Sequence, residues 1–382
     1  MKQLSTVVTR AAGVLGIGLL AGVFASAQAP TAKPLMAEDV FKNIQVLKGI
    51  PVDEFMDTMG IFSAALGISC ENCHSLSDKS WADYALDTTQ KKRTARRMVL
   101  MMDGINKQYF GGRQVITCFG CHRGGDHPRP TPDLGAIYGA PPEDELDDAV
   151  APAKDQPPAE QIIDKYITAI GGAQKVAALS TIVAKGTSSG YGPESGQRAY
   201  ELYVKAPDMR TQIIHTDNGD NTITTDGRSA WISAPLRPVD VLEYSGGALE
   251  GAKADAAVAF PARIKQALAN LHTGSPQIVN DMRAQVVQGT LGTGANQTMV
   301  TLYFDPETGL LVRMRRYAAS AVGRVPTQYD YSDYRDVNGV KLPFKWTEMW
   351  LDGRESVELS EIQTNVNIDG ARFNKPGPPK KK

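Results

Sequence analysis

The sequence predicts a two-domain protein of class α + β. We expect an α-helical N-terminal domain, followed by a C-terminal antiparallel β-sheet that forms an open half-barrel with one or two helices. Three observations support this prediction: apolar residues recur at helical spacing before residue 110, a stretch rich in Pro and acidic residues covers 128–158, and alternating segments separated by turn residues follow residue 181. A chain of 382 residues is long enough for two domains of ordinary size.

Two amphipathic helices are predicted in the N-terminal domain, residues 35–130. The first is expected to begin after Pro51 and to end near Gly67, and the second to end at Gly111. The apolar stripe of the first consists of Val52, Phe55, Met56, Met59, Phe62 and Leu66. That of the second consists of Met98, Met101, Met102, Ile105 and Tyr109.

Each predicted helix is followed by a C-x-x-C-H motif, Cys70–His74 and Cys118–His122, and these motifs contain all 4 cysteines of the chain. This motif is the attachment signature of a c-type haem, in which both thiols add to the haem vinyl groups and the His binds the iron. The sequence therefore predicts two c-type haems. Their covalent attachment residues are Cys70, Cys73, Cys118 and Cys121, and their proximal iron ligands are His74 and His122.

Structural zinc and disulfide bridges are the other uses of paired cysteines. Neither requires a His directly after each second Cys, whereas both motifs have one. Of the 5 histidines, the three outside the motifs are His127, His215 and His272. We expect His215 and His272 to be ordinary strand and helix-end residues.

The far side of each iron needs a ligand or stays open, and a Met on the preceding helix can supply it. His/Met ligation raises the reduction potential, and a six-coordinate haem exchanges electrons without readily binding substrate. The ordinary interpretation of each Met is core packing. Spacing alone does not separate Met56 from Met59, or Met98 from Met101 and Met102.

The stretch Leu47–Gly124 resembles the cytochrome c subunit of photosynthetic reaction centres. The matching residues are Met59, Ala64–Gly67, Trp81–Asp83, Ala95–Met98, Met101, Ile105–Asn106, Val115–Cys118 and Cys121–Gly124. The resemblance implies that Met59 and Met98 are the distal iron ligands. It assigns the remaining methionines of both helices to packing.

The chain also departs from that family. Its reaction-centre members carry four haems, one of them with two His ligands, and the loop that supplies the extra His reads Tyr109–Arg113 here. A lipid-anchoring Cys is missing from the 4 cysteines. Arg96 and Arg97 are candidate partners of a haem propionate, since Arg binds carboxylates bidentately. The basic residues around them can also steer an acidic redox partner or form a solvated helix face.

The N-terminus predicts export. Lys2 and Arg10 precede an apolar stretch, and Ala25-Ser26-Ala27 is a small-x-small cleavage signal, so residues 1–27 are interpreted as a cleavable signal peptide and the protein as periplasmic. Net charge of -1 argues against nucleic acid as a partner. Residues 131–157 are interpreted as a flexible linker that includes an acidic run, and residues 375–382 as a basic tail.

The C-terminal domain is placed at residues 158–374. A helix is predicted over 159–170 and another over 254–271, with a break or restart at Pro261 as an option, and strands over 181–186, 198–204, 210–215, 221–225, 230–233, 277–288, 298–304, 310–317, 328–336, 344–350 and 356–367. The layout resembles the periplasmic lipoprotein-carrier superfamily, most closely at Asp305–Val312 and Tyr331–Trp346. That resemblance allows a pocket for a lipid or quinone-like molecule, but a plain structural or docking domain is the favoured interpretation.

These observations favour an electron carrier that passes electrons between redox partner proteins, a membrane-bound electron-transfer complex being one candidate. Two alternatives stay open. The first is a dihaem enzyme resembling a peroxidase, with one open haem. The second is a redox-linked protein that binds a lipid or another apolar ligand.

Overall fold

A computed structural model describes residues 33–74, 80–139, 149–190, 196–294 and 297–380. The predicted signal peptide and the acidic run at 143–148 lie outside these residues. Residues Pro34–Lys382 form one compact unit. Among the described residues, no helix is both long enough and apolar enough to span a membrane.

The N-terminal part is helical, as predicted. Its helices are α1 (Ala37–Val40), α2 (Val52–Leu66), α3 (Gln90–Phe110), α4 (Cys118–His122) and α5 (Leu134–Tyr138). Helix α2 begins directly after Pro51, whose fixed φ suits a helix start, and it ends at Gly67 in the left-handed conformation, φ 63°. Gly111 ends α3 with φ 62°. Local start and stop signals therefore place both long helices correctly.

The C-terminal part contains, among the described residues, one 13-stranded antiparallel sheet. Its strands are β1 (Thr181–Gly190), β2 (Gln197–Lys205), β3 (Met209–Thr216), β4 (Gly219–Thr225), β5 (Ala230–Ser233), β6 (Val241–Glu243), β7 (Ala269–Val279), β8 (Met282–Leu291), β9 (Thr298–Phe304), β10 (Leu311–Ser320), β11 (Gly323–Val337), β12 (Val340–Trp350) and β13 (Gly353–Thr364). The order is β6-β5-β4-β3-β2-β1-β13-β12-β11-β10-β9-β8-β7. The chain thus forms two meanders that join where β1 pairs with β13.

The sheet curves around helices on one face. These helices are α6 (Ala159–Ala169), α7 (Ala173–Ala177), α8 (Gly246–Val258) and α9 (Ile264–Ala267). Helix α8 contacts β3, β4 and β5 as well as β9 and β10, which are distant in strand order. One helix can touch both groups only because the sheet bends around it, which is the predicted open half-barrel.

Two element predictions in this part are wrong. The single strand over 277–288 is divided between β7 and β8, because Asn280 and Asp281 turn the chain with φ of 49° and 63°. The helical segment over 254–271 is interrupted at Pro261, as the sequence allowed, but it ends earlier than predicted, because β7 already begins at Ala269. His272 is consequently a strand residue rather than a helix-end residue.

Segments at both ends of the β-rich part lie along the sheet. In the second half of the predicted linker, the Ala153 N–H donates to the Thr273 carbonyl at 2.9 Å. His272 Nε2 lies 2.8 Å from the Val150 carbonyl oxygen. Near the C-terminus, Ser233 Oγ donates to the Gly377 carbonyl at 2.9 Å.

The helical part packs directly against the β10–β11 hairpin. Ile61 of α2, Met102 of α3 and Val322 of the hairpin belong to one buried apolar cluster. A polar contact adds to it, since buried Asp53 on α2 accepts hydrogen bonds from the Ser245 backbone N–H at 2.6 Å and from its hydroxyl at 2.9 Å. Because Ser245 precedes α8, this contact ties α2 to the helix that the sheet encloses.

Candidate functional site

The first C-x-x-C-H motif follows the end of α2. Residues Cys70–Asn72 form a 3₁₀ turn, and the His74 backbone N–H donates to the Cys70 carbonyl at 2.9 Å. Thr89, which precedes α3, donates its hydroxyl to the Cys73 carbonyl at 2.8 Å. The motif is therefore held between the two long helices.

A cleft of about 680 Å³, including the space open to solvent, lies beside this motif. Met59 on α2 lines it together with Cys73 and His74. The rest of its lining is Lys42, Asn43, Ile44, Gln45, Val46, Leu47, Phe55, Phe62, Tyr84, Ala85, Lys92, Ala95, Arg96 and Val99. Met56 packs elsewhere, in an apolar cluster that contains Ile232 of β5. The structure thus separates the two methionines that spacing left equivalent.

Aromatic and charged side chains define the other wall of the cleft. The His74 ring stacks on Tyr84, with ring centroids 4.4 Å apart. Arg96 reaches the cleft but pairs bidentately with Asp87, at 2.8 and 2.7 Å. That hydrogen-bonded pair lowers the pKa of Asp87. Arg97, the second predicted propionate partner, is exposed and donates to the Thr94 hydroxyl at 3.3 Å.

The second motif forms α4 itself. The Thr117 hydroxyl caps this short helix by accepting from the Gly120 N–H at 3.0 Å. His122 Nδ1 lies 3.1 Å from the Gly125 carbonyl oxygen. Since a carbonyl oxygen only accepts hydrogen bonds, Nδ1 carries the proton, which leaves Nε2 with a free lone pair. Such a hydrogen bond is the usual way in which a metal-binding His is oriented.

Two contacts position the chain before the second motif. Buried Asn106 on α3 accepts from the Val115 and Ile116 N–H groups at 3.1 and 2.9 Å and donates to the Ile116 carbonyl at 2.8 Å. Gln114 donates to the Ser320 carbonyl of the β10–β11 hairpin at 3.0 Å. Sequence reasoning missed both residues. For Asn106 a signal existed, because it falls on the buried face at helical spacing after Met102.

The methionines of α3 divide into two groups. Met102 is 4% exposed and packs in the cluster between the helices and the hairpin, as its assignment to packing requires. Met98 and Met101 are 36% and 49% exposed. With Tyr109 they leave an apolar stripe on the surface of α3.

The four cysteines form no disulfide bond with one another. Cys70 and Cys121 are exposed, and Cys73 and Cys118 are partly buried. Burial, with a smaller contribution from Cys121, raises the pKa of Cys118 to about 11. Burial also raises the pKa of Cys73. These two thiols are therefore protonated at neutral pH.

A second cavity, of about 790 Å³ including its open side, lies between the sheet and α8. Most of its lining is apolar: Ile182, Ala184, Leu202, Val204, Val258, Ala259, Pro261, Leu311, Met314, Leu342, Pro343, Trp346, Leu359 and Ile362. Tyr166, Arg210, Asp255, Tyr329, Tyr331 and Tyr334 supply polar atoms. An apolar cavity with few converging polar groups is typical of ligand sites.

The polar groups of this cavity form a network. Asp255 on α8 pairs bidentately with Arg316, at 2.8 and 3.0 Å. The Tyr329 hydroxyl lies 2.9 Å from Asp255 Oδ2 and 2.7 Å from Glu348 Oε1. Burial, together with the nearby charge of Asp255, raises the pKa of Glu348. The sequence offered an apolar pocket only as the alternative to a structural or docking domain, and it did not identify these polar residues, which come from strands far apart in the chain.

The N-terminal region is similar to the cytochrome c subunit of photosynthetic reaction centres. Residues 21–132 match the family model described as "Photosynthetic reaction centre cytochrome C subunit". The subunit of Rubrivivax gelatinosus is 31% identical over 112 residues, which are 27% of this chain and 29% of that protein. That of Roseobacter denitrificans is 30% identical over 96 residues, 23% of this chain and 25% of that protein. The chain thus spans less than a third of either relative.

The β-rich part resembles lipoprotein-carrier folds. A LolA superfamily protein from Nitrosomonas europaea matches with a TM-score of 0.39 and 13% identity, over 58% of this chain and 99% of that chain. A DUF1329 family protein from Desulfovibrio piger matches with a TM-score of 0.40 and 12% identity, over 57% of this chain and 98% of that chain. These values describe a shared arrangement of sheet and helix and nothing more.

Proposed function

We propose that this protein is a periplasmic electron carrier with two covalently bound c-type haems, each ligated by one His and one Met. The observation that carries the proposal is the cleft in which Met59, Cys73 and His74 meet, since one distal ligand, one attachment residue and one proximal ligand share it. A haem bound there supplies a one-electron iron couple. Similarity of residues 21–132 to a cytochrome c family supports the same function.

The first site has residues for each task. Cys70 and Cys73 would hold the haem covalently, and His74 and Met59 would ligate its iron. The apolar residues of the cleft, such as Phe62 and Val99, exclude water from the group they contact. Exclusion of water and thioether ligation both favour the reduced iron and raise the potential. Because Arg96 already pairs with Asp87, and Lys92 already donates to the Tyr84 and Leu86 carbonyls, we assign both to the cleft wall and leave a propionate contact to Arg97.

The second site is proposed on Cys118, Cys121 and His122, with Met98 as distal ligand. The hydrogen bond of His122 Nδ1 to the Gly125 carbonyl supports this role, because it directs Nε2 outward. The exposed stripe of Met98, Met101 and Tyr109 on α3 offers apolar surface that a haem would cover. Each closed iron would carry electrons without opening to a substrate, so no enzymatic step is proposed.

The proposed partners are redox proteins that donate electrons to the haems and accept electrons from them. A carrier with two haems takes an electron from one protein and passes it to another, and a membrane-bound electron-transfer complex is one candidate. Residues 1–27 would direct export and be removed. The proposed divisions of the mature chain are a haem region at 35–130, a connection at 131–157, a β-rich region at 158–374 and a basic tail.

The absorption spectrum of the oxidised protein tests the ligands. We expect a Met-to-ferric-iron charge-transfer band with the intensity of two haems, reduced by half in Met59→Ala and by half in Met98→Ala. Met56→Ala and Met101→Ala are matched controls and should leave the band unchanged. If the band is halved in Met101→Ala instead of in Met98→Ala, the second iron ligand is Met101 and not Met98.

The peroxidase-like alternative predicts a different result. An open haem would bind carbon monoxide in the reduced native protein, and the charge-transfer band would have half its expected intensity or less. Carbon monoxide binding by the unmodified protein would therefore contradict the proposal of two closed sites.

A second candidate function is binding of an apolar ligand, supported by the cavity between the sheet and α8. We expect lipid to be extracted from the purified protein and identified by mass spectrometry. The variant Ala259→Trp would fill the cavity and should remove this lipid. Protein that is free of lipid and binds none when it is supplied would exclude this function.

A further inference from the structure

Arg210 is the one cationic side chain that lines the apolar cavity, among the residues that the structure describes. It lies on β3, opposite Val204 of β2 and Thr225 of β4, and is 9% exposed. A guanidinium stays charged even when buried, and a buried charge is costly unless it has a counterion. The next question is therefore which group compensates the buried charge of Arg210.

Within the described part of the chain, Arg210 forms no ion pair. Its side-chain hydrogen bond goes to Gln212 Oε1, a neutral amide, at 2.6 Å. The nearby carboxylates are engaged elsewhere: Asp255 pairs with Arg316, and Glu348 contacts the Tyr329 hydroxyl. Burial favours the neutral form of Arg210, but the neighbouring Tyr200, Tyr329, Asp255 and Glu348 outweigh it and raise its pKa.

The remaining groups around Arg210 permit an incoming anion. Glu348 accepts a hydrogen bond from the Tyr329 hydroxyl at 2.7 Å and forms no ion pair with the guanidinium of Arg210. Asp255 is neutralised by the bidentate pair with Arg316. The Tyr200 hydroxyl is buried and, among the described residues, has no hydrogen-bond partner. Arg210 is thus a cation in the wall of an apolar cavity, with the unused hydroxyl of Tyr200 as a neighbour.

We propose that the cavity binds a long-chain molecule with one anionic head group, in which Arg210 binds the head group and the apolar wall binds the hydrocarbon chain. This inference rests on the proposed binding of an apolar ligand and adds the head-group chemistry and the residue that selects it. A carboxylate is complementary to the planar guanidinium, which it can contact with two hydrogen bonds.

Calorimetric titration of the haem-loaded full chain at pH 8 tests the inference with two probes of equal chain length, dodecanoic acid and dodecan-1-ol. We expect the acid to bind at least about tenfold more tightly than the alcohol, since charge-assisted hydrogen bonds are stronger than neutral ones. Decanoic acid, shorter by two methylene groups, should bind about fifteenfold more weakly than dodecanoic acid. That series tests the apolar wall independently of the head group.

Arg210→Gln should remove the preference for the acid and leave the affinity for the alcohol unchanged. Arg228→Gln, at an exposed position, is the matched control and should keep the preference. Ala259→Trp should abolish binding of both probes. If Arg210→Gln does not fold, the inference is tested by the comparison of acid with alcohol in the unmodified protein and in Arg210→Lys.

The outcomes separate the two ideas. Equal affinity for acid and alcohol, or an unchanged preference in Arg210→Gln, overturns the head-group inference while ligand binding in the cavity stands. Failure of both probes to bind overturns ligand binding and the inference together. Binding that survives Ala259→Trp places the probes elsewhere and also overturns the inference.

Discussion

Gly67 and Gly124 are in backbone contact. A methyl group added to Gly67 would lie 2.2 Å from the Gly124 carbonyl oxygen. Gly67 ends the helix that carries Met59, and Gly124 follows the second C-x-x-C-H motif, where its N–H donates to the Ala65 carbonyl at 2.9 Å. The end of α2 and the second motif therefore share one junction, so that a change at Gly67 acts on both proposed haem sites.

Gly67→Ala is expected to destabilise the protein by about 2 kcal/mol or more. Left-handed backbone costs a residue with a side chain about 1 kcal/mol, and the steric overlap with Gly124 adds to this. Gly111→Ala is the matched control, because Gly111 ends α3 in the same conformation with open space around it. It should lose about 1 kcal/mol. Denaturant unfolding measures the loss of stability in both variants. Equal losses would mean that the Gly67–Gly124 junction accommodates the added methyl group without an energetic penalty.

Asn106→Leu is expected to lower the free energy of unfolding by about 3 kcal/mol, because it removes the three hydrogen bonds that the Asn106 side chain forms with the backbone of residues 115 and 116. It should also reduce covalent haem attachment at Cys118 and Cys121, since these groups position the second motif. Mass spectrometry of the peptides gives the attached fraction for each motif. Gln108→Leu, exposed on the same helix, should change neither quantity. Full attachment in Asn106→Leu would contradict this role.

Met102→Ala separates packing from iron ligation. Met102 is 4% exposed, and truncation of a buried Met to Ala costs about 2–5 kcal/mol. The Met-to-iron band should persist in the folded variant, and Met102→Leu should recover most of the stability. A weakened band in either folded variant would make Met102 an iron ligand and contradict its assignment to packing.

The sequence predicted features that local signals determine. Pro51 and Gly67 delimit α2, and the C-x-x-C-H motifs are complete pentapeptides whose chemistry does not depend on the fold. The turn at Asn280 and Asp281 was missed although both residues favour left-handed backbone, because alternating apolar residues continue on either side of them.

Long-range contacts lay beyond sequence reasoning. The β10–β11 hairpin supports the second motif, as the contact of the Cys118 N–H with the Val322 carbonyl at 3.4 Å illustrates, and no periodicity links residues so far apart. Arg210 belongs to an alternating strand in which every second residue points to the same face, so its burial follows only from the closure of the sheet around α8. Placement of Met59 in the cleft likewise depends on how α2 packs.

The Tyr329–Glu348 contact predicts a stability that depends on pH. Burial is the main reason why the pKa of Glu348 is raised above its ordinary 4.5, with Asp255 adding to it, while the Tyr329 hydrogen bond, Arg210 and Arg316 oppose the shift. The folded state therefore holds this proton more tightly than the unfolded state. The resulting stabilisation is present below the ordinary pKa and is lost as pH rises through the raised value.

Glu348→Gln removes this titration and retains an oxygen that can accept from Tyr329. Relative to the unmodified protein, the variant should therefore be more stable at pH 8 than it is at pH 4, and the difference between the two pH values gives the cost of ionising Glu348. This difference amounts to about 1.4 kcal/mol for each pKa unit that separates the folded from the unfolded state. Denaturant unfolding at both pH values measures it, with Glu307→Gln at an exposed turn as the control. An equal effect of Glu348→Gln at both pH values would show that Glu348 ionises in the folded protein without penalty, which would contradict the raised pKa.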